Sequence, residues 1–203
     1  MTIVLVRHGE TAGNASRVVQ PAETPLNEAG LRQAERVAER LVGMGVGHIL
    51  CSDLPRARMT AEPLARRTGL TLDIEPSLQE RSFGDLRGTP YAELPDGHPF
   101  GPDLDPPNGE TWTVFHKRVA QTFALVLERR KSTRGNLIVV THGLVLSSIV
   151  EHLVPCAAGL HPPAKFDNVS ITLLDDEAPY TVRLLNDCAH LGADRANLAD
   201  GAA

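Results

Sequence analysis

The chain is 203 residues long, 42% hydrophobic and 22% charged, and its 20 basic against 25 acidic residues leave a net charge of −5. That length supports one sizeable α/β domain with a proper core, and the acidic balance without a basic tract argues against a general nucleic-acid or anionic-membrane surface. No stretch is long and apolar enough to span a bilayer, and three cysteines without CxxC spacing (Cys51, Cys156 and Cys188) do not make a disulfide framework.

Ile3-Val4-Leu5-Val6 is an unbroken apolar, β-branched run, the pattern of a strand covered on both faces, and it stops at Arg7-His8-Gly9. It starts at Thr2 with neither a basic n-region nor a cleavage site, so a reduced, cytoplasmic protein is expected. Asn27 caps a predicted helix from Glu28 to Met44, with Leu31, Ala34, Val37, Ala38 and Leu41 on one face and Gly43, Gly45 and Gly47 ending it. His48 to Cys51 reads as a short strand, followed by Ser52-Asp53, a helical segment ending near Gly69, and a strand over Thr71 to Ile74. From Thr89 to Gly109, prolines 90, 95, 99, 102, 106 and 107 alternate with glycines and predict only short regular structure. A long helix follows from Glu110 to Lys131 with Phe115, Val119, Phe123 and Val126 at helical spacing. Leu137 to Val140 is a second buried-strand run, closed by Thr141-His142-Gly143. Leu144 to Val154 reads as a helix, and Val169 to Leu174 and Tyr180 to Leu185 as strands.

This alternation predicts a three-layer α/β fold: a mainly parallel central sheet with helices on both faces, in a single domain over 1–203. Ligands of such sheets gather at the carboxyl ends of strands, where His8 and His142 both fall. Arg7-His8-Gly9-Glu10-Thr11 with Asn14 sets a cation beside a nucleophile, and Arg56 in Ser52-Asp53-Leu54-Pro55-Arg56-Ala57 follows another strand. Taken singly, the His8 motif is as compatible with a capped loop as with chemistry, a lone Arg56 fits a solvated helix face better, and a lone His142 fits a capping or core position better. Together, two arginines and two histidines at one edge suit a phosphoryl group, whose oxygens match the planar guanidinium fork. A neutral imidazole can then attack phosphorus while the cations balance charge on the equatorial oxygens. No known metal-ligand spacing is reproduced, and Glu151, His152, Cys156 and His161 read as packing or solvation, so no metal and no cofactor is expected.

With Arg17, Pro25-Leu26, Gly30, Gln33-Ala34, Glu80-Arg81-Ser82-Phe83-Gly84, Gly88, Gly109-Glu110, Asn186 and His190-Leu191 in the same order, the chain resembles the histidine phosphatase superfamily, also called phosphoglycerate-mutase-like. The resemblance implies that His8 is the nucleophile, that Arg7, Asn14, Arg56 and His142 bind the phosphoryl group, and that Glu80 is the general acid. It also implies a small phosphorylated substrate; relatives occur as monomers, dimers and tetramers, so a homo-oligomer stays open. Glu80 and His142 lie 62 positions apart, without the longer insertion usual in the family's sugar-phosphate mutases, so a phosphatase is expected ahead of a mutase or a non-catalytic phosphate-binding module. Between Arg81 and Thr111 the only basic residues are Arg81 and Arg87, beside Asp85, Glu93, Asp96, Asp103, Asp105 and Glu110. If that segment walls the pocket mouth, a monophosphate with a polar or cationic remainder is expected.

Overall fold

The computed structural model describes residues 1–94, 99, 101 and 103–192; Pro95, Asp96, Pro102 and the stretch 193–203 of the expected domain lie outside the described residues. Six strands, β1 (Thr2–Arg7), β2 (Val46–Cys51), β3 (Leu72–Ile74), β4 (Asn136–Thr141), β5 (Ile171–Asp175) and β6 (Val182–Asp187), form one sheet in the order β3-β2-β4-β1-β5-β6. The pairs β1–β4, β4–β2 and β2–β3 are parallel, while β5 runs antiparallel to both β1 and β6. Helices α1 (Ala12–Ser16), α2 (Glu28–Val42), α3 (Pro55–Thr68), α4 (Trp112–Ser132) and α5 (Gly143–His152) fill the connections. The expected three-layer α/β architecture is therefore the one the chain adopts. Among the described residues no helix is long and apolar enough to cross a membrane.

Side chains of a strand alternate between faces, so a strand covered on both sides must be apolar throughout. Ile3 and Leu5 of β1, with Leu137 and Val139 of β4, pack into a cluster with Phe115, Val119 and Leu146 of α4 and α5. Their neighbours Val4, Val6, Ile138 and Val140 enter a second cluster with Val37, Leu41 and Leu64 of α2 and α3. Burying each such side chain contributes about 1.5–3 kcal/mol. The central strand pair is thus the best-anchored part of the molecule, and both candidate histidines follow directly from it.

The differences from expectation have local causes. Helix α1, unforeseen, has no buried residue and is set by a capping box between Thr11 and Asn14. Helix α4 starts at Trp112 because the Thr111 hydroxyl accepts the Val114 N–H. Strand β5 starts at Ile171 because Val169 sits in the left-handed region (φ 52°), and β6 starts at Val182, beyond the left-handed Tyr180 (φ 59°). Leu31 is 46% exposed, and Gly30 takes its place on the inner face of α2.

Gly30 also brings α2 against the loop that leaves β1. A Cβ at position 30 would lie 2.1 Å from the Glu10 carbonyl oxygen and 2.9 Å from the Glu10 nitrogen. Gly30→Ala is therefore expected to lower stability by about 1–3 kcal/mol, the usual cost of overpacking. A denaturant titration reads it directly, and an unchanged midpoint would show that the loop yields freely.

Candidate active site

The register of the two central strands builds the site. Arg7 pairs with Thr141 and Val6 with Val140, so His8 and His142 are the next residues out on adjacent strands. The His8 N–H donates to the Thr141 carbonyl at 3.0 Å, and the two imidazole centroids lie 5.1 Å apart. The His8 Nδ1–H donates to its neighbour's carbonyl, Gly9 O, at 2.7 Å. A carbonyl only accepts, so the proton of the neutral ring is on Nδ1 and the lone pair is on Nε2. Burial first, then the charges of Arg56 and Arg7, hold the His8 pKa well below its ordinary value.

Gly9 lets α2 close over this loop, and its N–H is taken by Thr60 of α3 at 2.9 Å. The Thr60 hydroxyl in turn donates to the Arg56 carbonyl at 2.7 Å, which ties the first turn of α3 to the His8 loop. Arg56, 3% exposed, reaches the Pro21 and Ala22 carbonyls through Nη1. Arg7 reaches the Phe166 carbonyl through Nη1, and Gly143 leaves space beside it: a Cβ there would stand 3.3 Å from Arg7 Nε. His142 is fully buried beside the His8 ring, with Nε2 2.9 Å from the Ser52 hydroxyl. Two buried donors in this group, Arg7 Nε and Arg56 Nε, and the ring nitrogen His142 Nδ1 have no hydrogen-bond partner among the described residues. Unmet buried donors are costly, and a cluster of them beside a free imidazole nitrogen fits an anion.

Asn14 Oδ1 accepts the Thr11 N–H at 3.2 Å and Asn168 Nδ2 at 3.3 Å, so its amide hydrogens are what Asn14 offers the cleft. Glu10 lines the cleft too, but its carboxylate accepts the Asn27 amide at 2.7 Å and so fixes the loop to the α2 cap. Glu80 accepts the Leu144 N–H at 3.1 Å, from the first turn of α5, and the Arg81 N–H at 3.0 Å. Burial raises its pKa against the opposing pull of these two N–H groups and of Arg56 and Arg7.

The loop carrying Glu80 is held by an ion pair that sequence reasoning passed over. Arg118 of α4 grips Glu110 at 2.7 Å and donates to the carbonyls of Ser77, Gln79 and Glu80. Glu110 accepts the Ser82 N–H at 2.8 Å from the other flank. Glu110 precedes the Thr111 cap of α4, so no helical spacing marks the pair in the sequence. Arg81 stacks on Trp112, its guanidinium carbon 3.9 Å from the ring centroid, and Trp112 stacks in turn on His116. His152, read as packing, meets the His116 ring edge-on at 4.7 Å.

Arg7, His8, Asn14, Arg56, Glu80 and Arg81 are among the residues lining a cleft of about 1100 Å³. The acidic wall expected of the 81–111 segment does not form there. Asp85, Glu93, Asp103, Asp105 and Glu110 do not line the cleft, whereas Arg81 and Arg87 do; Asp96 lies outside the described residues. Glu110 is turned to Arg118 and Asp85 to the Asn108 amide, so the argument for a cationic substrate remainder falls.

The family model of the histidine phosphatase superfamily (branch 1) matches residues 3–187. Phosphoglycerate mutase-like protein 4 of Arabidopsis thaliana is 35% identical over 203 residues, covering 93% of this chain and 86% of its own. Among solved structures, the α-ribazole phosphatase of Shigella flexneri superposes with a TM-score of 0.76 at 28% identity, covering 92% of this chain and 96% of that one. A mycobacterial glucosyl-3-phosphoglycerate phosphatase gives 0.74 at 25% identity, covering 91% and 98%.

Proposed function

This chain belongs to branch 1 of the histidine phosphatase superfamily, and from that premise we propose that it is a metal-independent phosphomonoesterase working through a phosphohistidine at His8, within one domain. The observation that carries the reading is the free Nε2 of His8 set beside Arg56 and Arg7, whose buried Nε donors are unmet among the described residues. Nε2 attacks phosphorus and forms the P–N bond as the ester P–O bond breaks, while the Glu80 carboxyl protonates the departing alkoxide. Water then attacks phosphorus, Glu80 takes its proton, the P–N bond breaks and His8 is restored with release of inorganic phosphate. Arg7, Arg56, Asn14 and His142 hold the equatorial oxygens throughout. The similar proteins include phosphatases and mutases alike, and room for water in the cleft supports hydrolysis over transfer back to a bound product.

Hydrolysis of p-nitrophenyl phosphate in excess chelator, beside an assay for interconversion of 2- and 3-phosphoglycerate, tests this. Chelator-resistant release of phosphate without interconversion is the expected result; efficient interconversion with slow release would make the protein a mutase.

The pH profile follows from the two shifts. The productive form needs neutral His8, present above its lowered pKa, and protonated Glu80, present below its raised pKa. Unshifted, a carboxyl ionises before a histidine loses its proton, and the two required states hardly coexist. The shifts widen that overlap on the acidic side of neutrality. A bell-shaped kcat/KM with its maximum below pH 7 is expected, and a rate still climbing in alkaline solution would contradict these roles.

A further inference from the structure

Besides Arg81, which is taken up by Trp112 and the Glu110 and Leu104 carbonyls, three arginines and lysines of the cleft wall take no part in the chemistry above: Arg17, Arg87 and Lys165. They come from distant parts of the chain. Arg17 is the left-handed cap (φ 53°) that ends α1, Arg87 closes the single 3₁₀ turn Gly84–Leu86, and Lys165 directly precedes the Phe166 carbonyl that holds Arg7. Backbone contacts fix the first two on one rim. Gly88 N donates to Val19 O at 2.7 Å, Val19 N to Thr89 O at 2.9 Å and Tyr91 N to Arg17 O at 2.9 Å, around a bridge between Val18 and Pro90. Among the described residues, neither Arg17 nor Arg87 forms an ion pair with a carboxylate. The rim adjoins the phosphoryl site. Arg87 lies near enough to add to the lowering of the Arg56 pKa to about 10, which burial begins; Arg7 and Arg17 do the same for Lys165.

One phosphoryl dianion is already matched by Arg7 and Arg56. On a chain of net charge −5, three further cations gathered at the same mouth are a local feature with a local use. We propose that Arg17, Arg87 and Lys165 form a second anion subsite, so that the preferred substrate is a phosphate ester carrying another anionic group, a carboxylate or a second phosphate, on its leaving-group side. This rests on the phosphatase reading and replaces the monophosphate expected from the sequence.

Propyl phosphate, 3-(phosphonooxy)propanoate and propane-1,3-diol bisphosphate, with their five-carbon counterparts, share a skeleton and differ in the second charge. At least one doubly functional ester should exceed the plain alkyl phosphate in kcat/KM by about tenfold. Which of the two leads distinguishes carboxylate from phosphate. In Arg17→Gln and Arg87→Gln that ratio should collapse towards one, and in the wild type it should shrink with added salt because the two arginines are exposed. Equal turnover of plain and doubly functional esters, or a ratio untouched by both substitutions, would overturn the subsite. If p-nitrophenyl phosphate is not hydrolysed at all, the phosphatase reading is what fails. Titration with propylphosphonate and 3-phosphonopropanoate then decides the subsite on binding alone, equal affinities refuting it.

Discussion

His8→Ala is expected to reduce hydrolysis of p-nitrophenyl phosphate by about four orders of magnitude or more, with the fold intact. The loss should be this large because nothing nearby replaces the atom removed. His142, with its centroid 5.1 Å away, is fully buried, and its Nε2 is engaged by Ser52. Arg7, Arg56 and Asn14 bind phosphate oxygens without attacking phosphorus. The substitution leaves the backbone bonds of this position available: His8 N to Thr141 O, and Val169 N and Asn168 Nδ2 to His8 O. A circular-dichroism spectrum like that of the wild type should therefore accompany the loss. Rapid quenching of the wild type should trap a phosphoenzyme that survives alkali and is lost in acid, as a phosphoramidate must be, and the variant should trap none. A variant with wild-type turnover would end the proposal that His8 carries the phosphoryl group.

How much of this was legible in the sequence follows from how far each signal reaches. Ile3 to Val6 and Leu137 to Val140 are unbroken because both faces of β1 and β4 are covered, and a run of that kind is recognisable without knowing what covers it. The histidines after them were legible for the same reason, since strand ends sit where open sheets bind ligands. The two central strands could have been neighbours or not; only their register makes His8 and His142 adjacent. Helix α1 was not legible because a capping box makes it and no apolar stripe marks it. The character of the cleft mouth was misread for a deeper reason. Periodicity tells which face of a helix or strand is inward, but an irregular segment has no period, so counting charges between Arg81 and Thr111 says nothing about where each points. Glu110 looks acidic in the sequence and spends its charge on Arg118, while Arg17 and Lys165, far outside that window, reach the cleft.

Glu80→Gln should separate the two halves of the reaction. Glutamine keeps the shape of the side chain and can still accept the Leu144 N–H, but it neither donates a carboxyl proton nor takes one from water. With an alkyl phosphate the departing alkoxide is strongly basic, so protonation by Glu80 is needed in the first step, and kcat/KM should fall by about 10²–10⁴. With p-nitrophenyl phosphate the leaving group departs without a proton, so the first step should survive and the attack of water should become limiting. The variant should then release a burst of nitrophenol close to one equivalent of enzyme, followed by slow turnover, with phosphohistidine accumulating during the slow phase. The alkaline limb of the kcat/KM profile should also disappear for the variant, because that limb is the ionisation of Glu80 above its raised pKa. Equal losses on alkyl and aryl esters, with no burst and the alkaline limb intact, would assign the proton to another group. The arrangement leaves few alternatives. Glu10 is bound to Asn27, and Glu151 lies at the far end of α5 from the Leu144 N–H that holds Glu80. A carboxyl kept protonated by burial, yet fixed by two backbone N–H groups so that it cannot swing away, has the geometry of an acid in one step and a base in the next.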